Sequence, residues 1–181
     1  MPRLTPLNPG QLTPEQRAIV EALGSTSNPL PGPYEAWLRS PGLADVARRV
    51  GVYLRAESSL PRDLYELAIV VTARHWRAQF GFWAHARAAI EAGIAPAVIE
   101  AIRVGTPPPF ARDVEREVFD FVREYLATSR VSDDTYRSTV ETFGEQGVVD
   151  LVGTVGYFCL VTMTLNVFEV PVPEGEPLPL E

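Results

Sequence analysis

Residues 62–93 read RDLYELAIVVTARHWRAQFGFWAHARAAIEAG, and the fold turns on whether this stretch is one helix or two. Leu64, Leu67, Ala68 and Val71 recur at helical spacing with Ile69 and Val70 beside them, so the first half predicts a buried helix. Pro61 followed by Arg62 and Asp63 supplies a first turn that tolerates proline and favours an acid. In the second half, Phe80, Trp83, Ala84, Arg87 and Ala88 mark another helical face, which closes at Gly93 as a C-terminal glycine should. Glu66 sits inside the first apolar run, where an ionised carboxylate is costly unless paired or hydrogen-bonded. A position on the solvent edge, or a purely structural pairing with Arg62 or Arg74, is the plain alternative to a functional role. His85 lies on the second helix, and on one straight rod it would stand roughly 28 Å from Glu66 at about 1.5 Å per residue. Cooperation requires the chain to fold back between about His75 and Gly81. Gly81 and the poorly helix-favouring His75-Trp76 pair permit such a break.

With an acid near the start of this segment and a histidine near its end, the chain resembles the carboxymuconolactone decarboxylase family, which includes the alkyl hydroperoxidase D-like proteins. The resemblance also takes in GPYEAWLRSPGLADVARRVGVYLR (32–55), YELAIV (65–70), AGIAPAVIEAIRVG (92–105) and, more loosely, LNVFEVP (165–171), so it spans most of the chain. It implies an all-α, alkyl hydroperoxidase D-like helical bundle, assembled as a homo-oligomer, either a trimer or a dimer of trimers, with Glu66 and His85 as the catalytic pair. Two departures bear on the reaction. The peroxidase branch carries a Cys-x-x-Cys pair where this chain has Ala78 and Gly81, and a thiol mechanism needs a thiol. The single cysteine, Cys159, falls in an apolar stretch and reads as buried and inert. Disulfide-relay peroxidase chemistry is therefore not expected. Decarboxylase-like members often show Tyr-Glu-Trp just before the histidine, whereas this chain has Phe80-Gly81-Phe82, so the specific lactone decarboxylation does not transfer directly.

A histidine beside a partly buried carboxylate can accept and donate a proton near neutral pH. The reading is an acid–base lyase or isomerase acting on a small carboxylated or lactone ring compound. Phe80, Phe82 and Trp83 are expected to form apolar walls, and Arg74 or Gln79 to orient a carboxylate or carbonyl. The alternative is a non-catalytic oligomer that binds a small ligand or serves as a scaffold, because a fold does not imply a function. No metal or cofactor is expected: His75, His85 and Glu66 match neither His-x-x-x-His nor Glu-x-x-His, and the chain has no glycine-rich phosphate loop and no Gly-x-Ser-x-Gly.

At 181 residues and 46% hydrophobic content the chain suffices for one filled core, and a single domain over 1–181 is expected. A net charge of −7 without a basic stripe argues against nucleic-acid partners. One cysteine excludes an intrachain disulfide and MPRLTPLNPG lacks the apolar core of a secretory signal, which together fit a cytoplasmic protein. Residues 1–11 read as an extended arm able to lie against a neighbouring subunit, and the Pro-rich tail 170–181 shows no core-forming pattern. Thr13-Pro14-Glu15-Gln16 predicts a capped helix running to about Leu23. A loop over 24–33 that can border a pocket, a short helix and a helix from Ser40-Pro41 to about Arg55 follow. That last helix carries Leu43, Val46, Ala47 and Val50 on one face, with Arg48, Arg49 and Arg55 on its polar side, where they are either able to reach an acidic ligand or merely solvated. Further helices are expected from Pro96, over 112–127, and from Ser132 to near Gly144. The final helix is uncharged from Leu151 to Asn166. About 20 apolar residues would span a membrane, but interspersed glycines, threonines and an asparagine favour burial at a subunit interface instead.

Overall fold

The computed structural model describes residues 2–24, 30 and 32–180, so the loop expected over 24–33 lies largely outside the described residues. A 3-10 turn at Pro9–Gln11 precedes eight helices: α1 (Pro14–Leu23), α2 (Tyr34–Trp37), α3 (Pro41–Ala56), α4 (Arg62–His75), α5 (Gln79–Ala92), α6 (Pro96–Val104), α7 (Asp113–Thr128) and α8 (Asp133–Val167). Among the described residues there is no strand.

The architecture is built around α4. Its residues from Leu64 through Ala73 are all buried, because α5, α7 and α8 pack against it from different sides and α6 touches it as well. A helix apolar on every side belongs at the centre of a bundle. Behind it the chain does fold back. The Trp76 N–H still reaches Thr72 O (3.1 Å), Arg77 takes a left-handed φ of 51°, and the Ala78 N–H returns to Ala73 O (2.9 Å). The Asn166 side-chain amide donates to Trp76 O (2.7 Å) and stitches the turn to α8. Ala78 then caps α5 in an extended conformation. Gly81 lies one turn into α5, packed near Ala73 and Leu165, and is not the hinge.

α8 is bent rather than straight. Gly144 has φ 71° and ψ 172°, which splits the helix at the point where the sequence places a helix end. By length and composition α8 could cross a membrane, but 56% of its apolar window is buried inside the chain, and it packs on α3, α4 and α7 as a core helix does. Its buried threonines return their hydroxyls to the preceding turn, as in Thr154 to Asp150 O and Thr162 to Phe158 O, so they add no unpaired polar group.

Two details depart from the sequence reading, one on α3 and one in the C-terminal tail. On α3 the inner face is Ala44, Ala47 and Leu54, while Leu43, Val46 and Val50 point outward. The N-terminal arm lies on its own chain: the Arg3 N–H donates to Phe168 O, Arg3 pairs with Glu169, and the Leu7 N–H donates to Glu35. The C-terminal tail reaches the core after all, ending with Leu180 only 4% exposed.

Candidate active site

The fold-back brings the two halves of the central motif together. Glu66 is wholly buried on α4, and the His85 Nδ1–H on α5 donates to its Oε2 at 2.6 Å. Arg62, one turn earlier on α4, contacts Oε1 at 2.5 Å as an ion pair that is not aligned as a hydrogen bond, so Oε1 lacks a hydrogen-bond donor. The structural pairing and the pairing with histidine thus coexist on one carboxylate. Taking a charge out of water is costly, and two cationic or polarised neighbours offset that cost. Phe158 from α8 meets the imidazole edge-on at 4.9 Å between ring centres and fixes its plane. With Nδ1 committed to Glu66, Nε2 is the ring nitrogen without a protein partner among the described residues.

His85 stands in the wall of a cavity of about 530 Å3. Phe80, Trp83 and Ala84 line it from the same helix, as the sequence reading expected of Phe80 and Trp83. Phe82 does not: two residues from Phe80 is about 200° around a helix, which turns Phe82 into the core, where it is 2% exposed. Arg74 does not line the cavity either. It lies two turns beyond Glu66, donates from Nε to Arg103 O (2.9 Å), and borders a separate hollow with His75, Phe110 and Phe119. Gln79 is occupied elsewhere as well, since its amide accepts from the Leu180 N–H (3.0 Å) and donates to Leu180 O (2.7 Å), tying down the tail.

The polar groups of the cavity come instead from residues the sequence reading did not assign to it or read as solvated: Tyr34 on α2, Arg48 and Arg55 on α3, Tyr65 on α4 and Tyr157 on α8. Burial pushes the phenols of Tyr34, Tyr65 and Tyr157 above their ordinary pKa, and Arg55 is close enough to all three to pull against that push. They stay neutral hydroxyl donors at neutral pH. Tyr65 offered a signal in sequence, a phenol next to the buried acid. Arg48 and Arg55 show in sequence only as arginines able to reach an acidic ligand, and the distant Tyr34 and Tyr157 give no signal. Gly32 and Pro33 also line the cavity, as expected of the loop that carries them.

Ala78 and Gly81 are both buried, Ala78 capping α5, and no thiol lines the cavity among the described residues. Cys159 accepts instead from Trp76 Nε1 (3.3 Å), away from His85. Among the described residues no group of three histidine, cysteine, aspartate or glutamate side chains is placed to hold a metal ion.

No family model and no curated protein sequence matches the chain. Solved structures do. The debrominase Bmp8 matches with 14% identity and a TM-score of 0.71, over 94% of this chain and 91% of that one, both as the apo protein and as a cysteine-to-alanine variant in complex with 2,3,4-tribromopyrrole. An uncharacterized peroxidase-related protein from Silicibacter sp. TM1040 matches with 18% identity and a TM-score of 0.70, over 93% of this chain and 88% of that one. At these identities the likeness establishes the fold alone: this is an all-α, alkyl hydroperoxidase D-like helical bundle.

Proposed function

We propose that the chain is an acid–base enzyme, a lyase or isomerase acting on a small carboxylated or lactone ring compound, with Glu66 and His85 as its working pair. The observation that carries this reading is the 2.6 Å contact between His85 Nδ1 and the buried Glu66 carboxylate at the wall of a cavity large enough for a single ring. Glu66 holds the imidazole with Nδ1 protonated and stabilises it when positively charged, and Nε2 exchanges the proton with substrate. In a decarboxylation the C–C bond to the carboxyl group breaks, carbon dioxide leaves, and the electron pair left on carbon takes the proton from Nε2. The imidazole is then recharged from solvent. In an isomerisation the neutral Nε2 removes a proton α to a carbonyl and returns it elsewhere on the ring.

The absence of a thiol from this cavity supports proton transfer over peroxide reduction. The proposal includes a homo-oligomer, a trimer or a dimer of trimers, supported by the apolar residues α8 leaves exposed, and a cytoplasmic location. The test is turnover of a panel of lactones and β-keto acids by the wild type, His85→Ala and Glu66→Gln. Loss of general acid–base help is expected to lower kcat/KM by about 100- to 10,000-fold in His85→Ala. Turnover surviving both substitutions removes the pair from the mechanism. Binding without turnover in the wild type favours the ligand-sequestering alternative.

A further inference from the structure

The walls of the cavity carry an imbalance of hydrogen-bonding groups. Tyr65 Oη, Trp83 Nε1 and Arg48 Nε are buried and make no well-aligned hydrogen bond among the described residues, although each belongs to a residue lining the cavity and Arg55 lies beside the Tyr65 hydroxyl. Tyr65 as a whole is only 1% exposed. Buried donors are normally satisfied, and leaving one unmade is penalised far more than a made bond is rewarded. Three together on one cavity identify what is to fill it: a group that accepts.

Charge points the same way. None of the described lining residues is an aspartate or glutamate, while Arg48 and Arg55 both line the cavity. Arg48 is partly neutralised by Asp45 (3.2 Å). Arg55 forms no salt bridge with a carboxylate among the described residues, and it lies near enough to Tyr34, Tyr65 and Tyr157 to act on all three phenols. An exposed guanidinium beside neutral hydroxyls at an acid-free cavity is suited to an anion.

We propose that the cavity selects a ring compound bearing a carboxylate, with Arg55 as the specificity-determining cation and Tyr65 Oη and Trp83 Nε1 as the donors that orient it, so that a neutral lactone alone is a poor ligand. This deepens the acid–base reading and rests on the same cavity being the substrate site. Arg55 acts as a positioning residue, setting the distance between the anionic end of the ligand and His85.

Binding can be measured apart from turnover. Calorimetric titration with benzoate and with its neutral isostere benzamide is expected to show benzoate binding at least about 10-fold tighter to the wild type, the size of one charge-assisted contact. Arg55→Met is expected to erase that preference while leaving benzamide unchanged, Arg55→Lys to restore part of it, and Tyr65→Phe to weaken benzoate about 3- to 10-fold. His85→Ala is expected to keep the preference. Equal affinity for the two probes, benzoate binding unchanged in Arg55→Met, or no measurable binding of benzoate each overturns the proposal. A retained preference without turnover of any substrate overturns only the acid–base reading, and turnover of neutral lactones with no preference overturns only the anion site.

Discussion

Glu66 performs two tasks with its two oxygens, and the residue scale shows how tightly they are joined. Oε2 orients His85 and Oε1 meets Arg62, so the carboxylate is at once part of the candidate chemistry and part of the packing of α4. Removing one member of a buried ionic cluster leaves the other charge uncompensated. Glu66→Ala is therefore expected to lower stability by about 3–5 kcal/mol in urea unfolding. Arg62→Met is expected to cost less, because the Arg62 side chain is 47% exposed and water screens that half of the pair. An Arg62 variant that unfolds as easily as Glu66→Ala would show that the guanidinium, and not His85, holds the acid in place. Gly51 is a second sensitive position. A Cβ there would stand 2.6 Å from Tyr157 Oη and 3.0 Å from Cζ, and that ring is packed 5.3 Å from Phe158 and 6.3 Å from Trp37. Gly51→Ala is expected to force a shift worth about 1–3 kcal/mol, read as a lower melting temperature. An unchanged melting temperature would mean that the Tyr157 hydroxyl end swings aside freely.

At the scale of elements, legibility in sequence followed the range of the interaction that fixes each feature. The α1 capping box was readable because Thr13 and Gln16 satisfy each other's backbone within one turn. The fold-back could be bracketed but not placed, since it turns on Arg77, a non-glycine residue in the left-handed region, and on Asn166, which bonds to Trp76 O from 90 residues away. The face of α3 is legible only in part for a related reason: Ala47 is read correctly, but apolarity alone adds Leu43, Val46 and Val50, whereas the inner face is the small Ala44 and Ala47 with Leu54. The link between α3 and α4 shows another long-range tie. Asp150 on α8 is buried and accepts from the Ser59 N–H (2.8 Å), the Ser59 hydroxyl (2.7 Å) and the Tyr53 hydroxyl (3.0 Å). Burial pushes its pKa up, but these three donors outweigh burial and hold it below its ordinary value. A carboxylate with a depressed folded pKa contributes stability that is present above its unfolded pKa and lost as pH falls through the folded value. Asp150→Asn is accordingly expected to lose about 1.5–3 kcal/mol at neutral pH and to flatten the acid limb of a stability–pH curve. Parallel curves for variant and wild type below about pH 4, the ordinary range of an aspartate, would remove Asp150 from that limb.

For the whole molecule, the cavity is assembled from α1, α2, α3, α4, α5 and α8, and no local pattern could have announced Tyr34, Arg55 and Tyr157 as neighbours of His85. What periodicity does announce is the outer face of α8. Val149, Val152, Gly156, Leu160, Met163 and Val167 follow one another at steps of three or four residues, and the five side chains among them are between 38% and 68% exposed. A Cβ on Gly156 would meet nothing within 4 Å, so the stripe has open space at its centre where another helix can approach closely. Its apolar spacing is that of a helix–helix seam, and Leu151 to Asn166 offers no charge to oppose a second copy of itself. Apolar residues scattered singly over a surface need no explanation, whereas a contiguous stripe marks an interaction site. Under the proposed homo-oligomer this stripe is the contact. The double variant Val152→Glu/Met163→Glu would place carboxylates on both sides of Gly156 without touching the α4-facing side of the helix. In sedimentation velocity the wild type is expected to run as a trimer or hexamer and the double variant as a folded monomer with an unchanged circular dichroism spectrum. A wild type that sediments as a monomer at every concentration defeats the assembly proposal, and a double variant that keeps the wild-type sedimentation coefficient moves the interface to another face.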